Sequence, residues 1–139
     1  MPGDLPRYVL LGADELRAIQ KQRIELLGPN GAFTKAWNGN DAAAVIAFFS
    51  PNGIHQNQGG NRFAVTDGGL ESHVASLQAD GFRIVPTDDP MIVWDDYVLV
   101  FSKATHPAHG TGNMAGLAQF EPDGTRIIFH TGFDARPRR

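Results

Sequence analysis

The chain has 139 residues, 42% of them hydrophobic and nine of them Phe, with 12 Lys plus Arg against 15 Asp plus Glu for a formal charge of -3. That length suits one domain around one sizeable core and leaves no room for a second, while the charge excludes the broad positive field that nucleic acid or anionic lipid would need. No Cys is present, which removes disulfides, thiolate nucleophiles and thiolate metal sites and leaves histidines and carboxylates as the chemically capable groups.

One domain is expected over 1–139, with 1–13 as an N-terminal extension and 135–139 as a tail whose Arg136, Arg138 and Arg139 read as a solvated terminus. The longest apolar run, 42–49, falls far short of the ~20 residues that span a bilayer. The opening Met-Pro-Gly-Asp-Leu-Pro lacks the cationic-then-apolar pattern of a secretory signal. A cytoplasmic protein with neither a membrane nor a nucleic-acid partner is therefore expected.

Good helix formers with Leu16, Ile19 and Leu26 near helical spacing predict a helix over 14–27, stopped by Gly28-Pro29. A short helix over 32–37 sets Phe33 and Trp37 at i and i+4, and Asp41 opens another over 41–49, with Val45, Phe48 and Phe49 on its apolar stripe and Ser50-Pro51-Asn52-Gly53 as terminator. Strands are expected at 54–58 and 62–65. Thr66-Asp67 then caps a helix through Ala79, whose stripe Leu70, Val74, Leu77 has His73 at its edge. The β-branched and aromatic remainder predicts strands at 82–85, 91–94, 97–105, 113–121 and 126–133.

Glu121-Pro122-Asp123-Gly124-Thr125 matches a three-residue hairpin with Gly in the left-handed position. If Glu121 opposes Thr125, then Ala118 opposes Ile128, Gly116 opposes His130 and Met114 opposes Gly132 on one face. Asn113, Ala115, Leu117, Ile127, Phe129 and Phe133 fall on the other. Small residues thus surround His130, leaving space beside a titratable group for a pocket, or for a helix to fill.

Trp37-Asn38-Gly39-Asn40-Asp41, Phe48-Phe49-Ser50-Pro51-Asn52-Gly53 and a following strand bearing His55 resemble the opening of SnoaL-like proteins of the nuclear transport factor 2-like superfamily. Trp94-Asp95-Asp96-Tyr97-Val98 is similar to that superfamily's turn into its long central strand. Asp123-Gly124 with Ile127-Ile128-Phe129-His130 is similar to its last hairpin, and Ile54-His55-Gln56-Asn57-Gln58 to a Gln-His-Asn strand of the aldol-condensation-type branch. The resemblance covers 32–134. It implies an α+β cone, a curved antiparallel sheet wrapped around three to four N-terminal helices, with a deep apolar pocket and a homodimer packed through the sheets. Members include polyketide cyclases, ketosteroid isomerases, epoxide hydrolases and dehydratases, as well as silent binding modules. The chain departs from the pattern where many members carry a final-strand carboxylate: Thr131 and Gly132 stand there, and Asp134 matches only with a shift.

His55 and Asn57 share a strand face, so an imidazole to move a proton and an amide to hold an enolate oxygen could converge; otherwise His55 is structural and Asn57 caps a turn. His130 is the second candidate acid or base. Asp134 lies on the same face, about 13 Å along a straight strand, at the pocket or as a strand-end carboxylate. Trp37, Met114 and Phe120 are candidates to pack around a substrate, though a core stripe is the default for Trp37. His106 and His109 rim the mouth or lie in a solvated loop. The histidines lack the spacing of a known metal site, Asp88-Asp89 and Asp95-Asp96 read as turn formers, and Gly59-Gly60 and Gly68-Gly69 lack the companions of a phosphate loop.

The expectation is a small enzyme, requiring no cofactor and no metal, that uses His55 and His130 as catalytic acid and base. It would bind an apolar carbonyl-containing or polycyclic metabolite through Trp37, Asn57, Met114, Phe120 and Asp134. Aldol-type cyclisation, isomerisation or dehydration fits these groups, so an isomerase, cyclase or lyase is expected. The alternative is a non-catalytic ligand-binding or dimerisation module of the same fold. Epoxide opening ranks last, because no carboxylate and polarising donor can be placed around one water.

Overall fold

The computed structural model describes residues 12–134; the basic tail and most of the N-terminal extension lie outside them. Helix α1 (Ala13–Leu27) carries Asp14 and Glu15 in its first turn, where carboxylates favour the helix dipole. Helices α2 (Ala32–Trp37), α3 (Ala42–Ile46) and α4 (Gly69–Ala79) complete the helical layer. Asp41 caps α3 by accepting from the Ala43 N–H at 3.1 Å. Helix α4 begins two residues later than its capping signal suggests, because Gly68 sits at a left-handed φ of 75° and the Asp67 carboxylate accepts from the Gly69 N–H.

Seven strands form one curved, unclosed sheet: β1 (Phe49–Gln56), β2 (Arg62–Ala64), β3 (Arg83–Pro86), β4 (Ile92–Trp94), β5 (Tyr97–His106), β6 (Gly110–Phe120) and β7 (Ile127–Asp134). Their order is β2-β1-β7-β6-β5-β3, with β4 also on β5. The expected α+β cone is present, with one refinement: β1 and β7 run parallel, so the sheet is mixed, and α4 enters after β2 instead of with the first three helices.

Two local readings are corrected. The helix expected over 41–49 stops at Ile46, and Phe49 opens β1. Ser50 to Gly53, read as a terminator, is instead an irregular stretch inside that strand, where five residues of β1 match two of β7. Glycine suits position 53, since a Cβ there would be crowded, 3.0 Å from the Ile127 carbonyl oxygen and from the Phe49 ring.

The last hairpin is longer than three residues: the Glu121 N–H donates to the Arg126 oxygen, and the true register pairs Ala118 with His130, Gly116 with Gly132 and Met114 with Asp134. Because the register differs by two, the face survives and Gly116, Ala118, Gly132 and His130 do share one side. Ile127 does not stay on the other side. A bulge at Ile128 pairs Ile127 with Phe120 and turns it into the core, fully buried.

The core joins Leu27, Phe33, Trp37, Val45, Leu70, Val74, Val98, Phe120 and Ile127. Arg23 is wholly buried at its end. It donates to the carbonyls of Gly124 and Glu121, each at 2.9 Å, and pairs with Asp96 at 3.2 Å, its guanidinium 5.1 Å from the Phe120 ring centre. One side chain thus fastens α1 to both the β4–β5 turn and the β6–β7 hairpin. Asp95 makes that turn at a φ of 46°, as a turn former can. No helix among the described residues is long and apolar enough to cross a membrane.

Candidate active site

The parallel pairing of β1 with β7 sets His55 directly beside His130, both on the inner face. Their Nδ1 atoms lie 2.8 Å apart. The sequence reading aims the two rings into one hollow from opposite walls; the structure instead sets them on neighbouring strands of one wall, bonded to each other. Both are nearly buried, at 5% and 9% exposure.

Aromatic side chains hold the pair. Trp37 stands 5.7 Å from the His55 ring and 5.4 Å from the His130 ring, and Phe33 meets His130 edge-on at 5.4 Å. Trp37 is in turn fixed from behind: Gln78 Nε2 donates to the carbonyls of Ala36 and Trp37, and the Asn38 amide exchanges two hydrogen bonds with the backbone of Ile84, of 2.6 and 2.8 Å. Helix α2 is thereby tied to α4 and β3 at the height of the imidazoles.

Burial disfavours imidazolium, so the His130 ring is pushed down to about 4 from the ordinary histidine value. His55 is pushed down to about 2, chiefly by burial and further by the charge that His130 and His73 would carry. Both are therefore neutral at pH 7. A single proton occupies the Nδ1···Nδ1 bond, because two N–H groups cannot face each other across it.

A cavity of about 650 Å³ opens beside the pair, within the usual size range for small-molecule sites. Its walls include Trp37, His55, Asn57, Val100, Met114, Gly116, Ala118, His130, Gly132 and Asp134. Among the described residues no buried side-chain nitrogen or oxygen lacks a partner, and the Nδ1 atoms are occupied by each other. With each Nδ1 engaged, Nε2 is the ring nitrogen left to each histidine for a ligand, and both residues line the cavity.

Of the expected site residues, Trp37, His55, Asn57, Met114, His130 and Asp134 border this space. Phe120 does not. It lies wholly buried beneath Arg23, because the end of β6 packs into the core cluster with Val98 and Ile127. The Asn57 Oδ1 accepts from the Asn61 N–H at 2.9 Å and its carbonyl from Gly60, so this residue shapes a turn while bordering the cavity. His106 and His109, rings 4.7 Å apart, both border the cavity, and the exposed His109 marks its mouth.

His73 was legible only as a core-edge residue. The fold stacks it flat on Phe63 at 3.9 Å and sets it 5.5 Å from His55, also on the cavity wall; burial lowers its pKa. Its place on the Leu70 and Val74 stripe was the available signal. No group of three or more His, Asp or Glu among the described residues is arranged to hold a metal ion.

No protein-family profile matches the chain, and no curated protein matches it. Solved structures do. The epoxide hydrolase/cyclase-like enzyme SalBIII, of pyran-ring formation in salinomycin, superposes with a TM-score of 0.68 at 17% identity, covering 84% of this chain and 92% of that one. A candidate isomerase of the SnoaL-like family from Agrobacterium tumefaciens superposes at 0.60 with 15% identity over 88% and 99%. A ketosteroid isomerase-like protein from Catenulispora acidiphila, in complex with trimethylamine, superposes at 0.61 with 16% identity over 73% and 81%. The chain therefore has the nuclear transport factor 2-like cone fold, and the resemblance drawn from its sequence holds at the level of fold.

Proposed function

We propose that the protein is a small cofactor-independent enzyme that binds an apolar carbonyl-containing or polycyclic metabolite in this cavity and moves protons on it, by aldol-type cyclisation, isomerisation or dehydration. The observation that carries the reading is the bonded pair His55 and His130, both lining a cavity of about 650 Å³. Neutral imidazoles keep a ring lone pair at the working pH, and an apolar surround strengthens any hydrogen bond to a developing enolate oxygen. Trp37 and Met114 supply apolar wall; Asn57 and Asp134 supply polar edges. The names of the similar structures, a polyketide cyclase candidate among them, support this class of chemistry.

The test uses 2-tetralone, an apolar bicyclic ketone, as probe. Exchange of its α-protons in D2O is expected to run faster with protein than in buffer, and by at least ~100-fold less after His→Gln replacement of the general base. Binding without exchange would instead favour a non-catalytic ligand-binding module, which native mass spectrometry of protein from its own host would reveal as a retained metabolite.

A homodimer belongs to the same proposal. Val85, Ile92, Trp94 and Phe133 are exposed, and their partners Lys103, Leu99, Tyr97 and Ala115 place all four on the outer face of the sheet. Light scattering at twice the monomer mass is the expected result. A cytoplasmic location, with no membrane or nucleic-acid partner, completes this reading.

A further inference from the structure

We propose that His55 and His130 act as one bifunctional unit, their shared Nδ1–H···Nδ1 bond forcing opposite tautomers so that one Nε2 offers the substrate a lone pair while the other offers it an N–H. This rests on the proton-transfer reading above and specifies its substrate: an enolisable ketone, which can lose a proton at one atom and gain one at another.

The constraint is geometric. At 2.8 Å the two Nδ1 atoms hold one proton between them. The ring that donates it has a bare Nε2; the ring that accepts it, being neutral, carries its own proton on Nε2. The rings stand 5.0 Å apart with planes inclined by 28°, and both residues line the same cavity. Acid and base are thus supplied together by two identical side chains.

The step balances without a charged ring. The substrate's α-C–H proton goes to the bare Nε2, and the C–H electron pair forms the enol C=C bond. The Nδ1 proton of that ring crosses to the Nδ1 of its neighbour. The neighbour's Nε2 proton passes to the carbonyl oxygen, whose π electrons become an O–H bond. Three protons move, both rings end neutral, and their tautomers have exchanged; ketonisation at the same or the vinylogous carbon runs the relay back. A histidine acting alone would have to store the proton as imidazolium, which this buried position penalises.

The other rings packed on the pair are Trp37, Phe33, Phe49, Phe63 and His73; of these only His73 titrates, and it is not placed to take the Nδ1 proton, since each Nδ1 already faces the other.

The test has two arms on the full chain. In protein labelled with 15N-histidine at pH 7, ring-nitrogen NMR is expected to show one of the two residues protonated at Nδ1 and the other at Nε2, with N–N coupling across the bond. Two Nε2–H tautomers without coupling would overturn the relay. In the second arm, 2-tetralone exchange is measured for H55N, H55Q, H130N and H130Q, each checked for folding by its melting curve. Asn keeps a polar atom where Nδ1 was and Gln where Nε2 was, yet neither passes a proton through. All four are expected to lose at least ~100-fold, with the double variants no slower than the singles, and the wild-type rate is expected to stay level from pH 8 to 5. Retention of activity on replacing one of the two rings would overturn the relay while leaving a single-histidine enzyme standing. No exchange by the wild type would overturn both.

Discussion

Lowering the pH from 7 to 5 is expected to destabilise the folded protein by about 4 kcal/mol through His55 and His130 alone. Both rings are held neutral in the fold, His130 down to about 4 and His55 down to about 2, whereas the unfolded chain titrates near 6.5. For a base whose folded pKa is depressed, the unfolded state takes up the proton first. The stabilisation is therefore fully present above about 6.5 and lost as the pH falls towards the folded values. At pH 5 each ring sits about 1.5 units below its unfolded pKa, and at about 1.4 kcal/mol per unit that is about 2 kcal/mol apiece. The exposures of 5% and 9% leave little solvent screening to reduce it. Urea unfolding followed by Trp fluorescence measures this, because Trp37 packs on both rings. With a slope of about 2 kcal/mol/M, the wild-type midpoint should drop by about 2 M between pH 7 and 5. The H55Q/H130Q variant should show only the smaller drop due to the remaining groups. Equal pH dependence in the two proteins would refute the neutral buried pair.

Arg23→Met should cost about 3 kcal/mol or more, because it removes the donor shared by two hairpin carbonyls and strands part of Asp96; a loss under 1 kcal/mol in denaturant titration would show that Arg23 does not clamp the sheet. Gly116 and Gly132 should behave differently though both line the cavity. A Cβ at Gly116 meets nothing nearer than the Thr131 oxygen at 4.0 Å, so Gly116→Val should fold within about 0.5 kcal/mol of wild type while cutting 2-tetralone exchange at least tenfold by filling space. A Cβ at Gly132 runs into the Met114 methyl, so Gly132→Ala should displace that flexible side chain at a cost of about 1 kcal/mol; calorimetry distinguishes the two.

Local signals carried the sequence reading a long way. Gly28-Pro29 ended α1, and α2 occupies the six residues Ala32–Trp37 that its apolar pair suggested. Where local signals misled, a non-local contact decided. Phe49 fits the stripe of a helix, yet it belongs to β1, whose neighbouring Phe48 carbonyl accepts from the Ile127 N–H. The hairpin register differs by two and still gives the right face for His130, because side chains alternate with period two; only the bulge at Ile128, which alternation cannot foresee, moves Ile127 into the core.

What the sequence determined alone was a Cys-free set of helices and strands with His130 on the same face as Gly116, Ala118 and Gly132, small residues that leave room beside it. Tertiary structure decided that its ring and that of His55, 75 residues apart, would touch. A parallel β1–β7 pairing joins distant segments and has no signature in the spacing of either strand, so the bond between the imidazoles, their neutral charge and the proton they share exist only once the sheet has closed that distance.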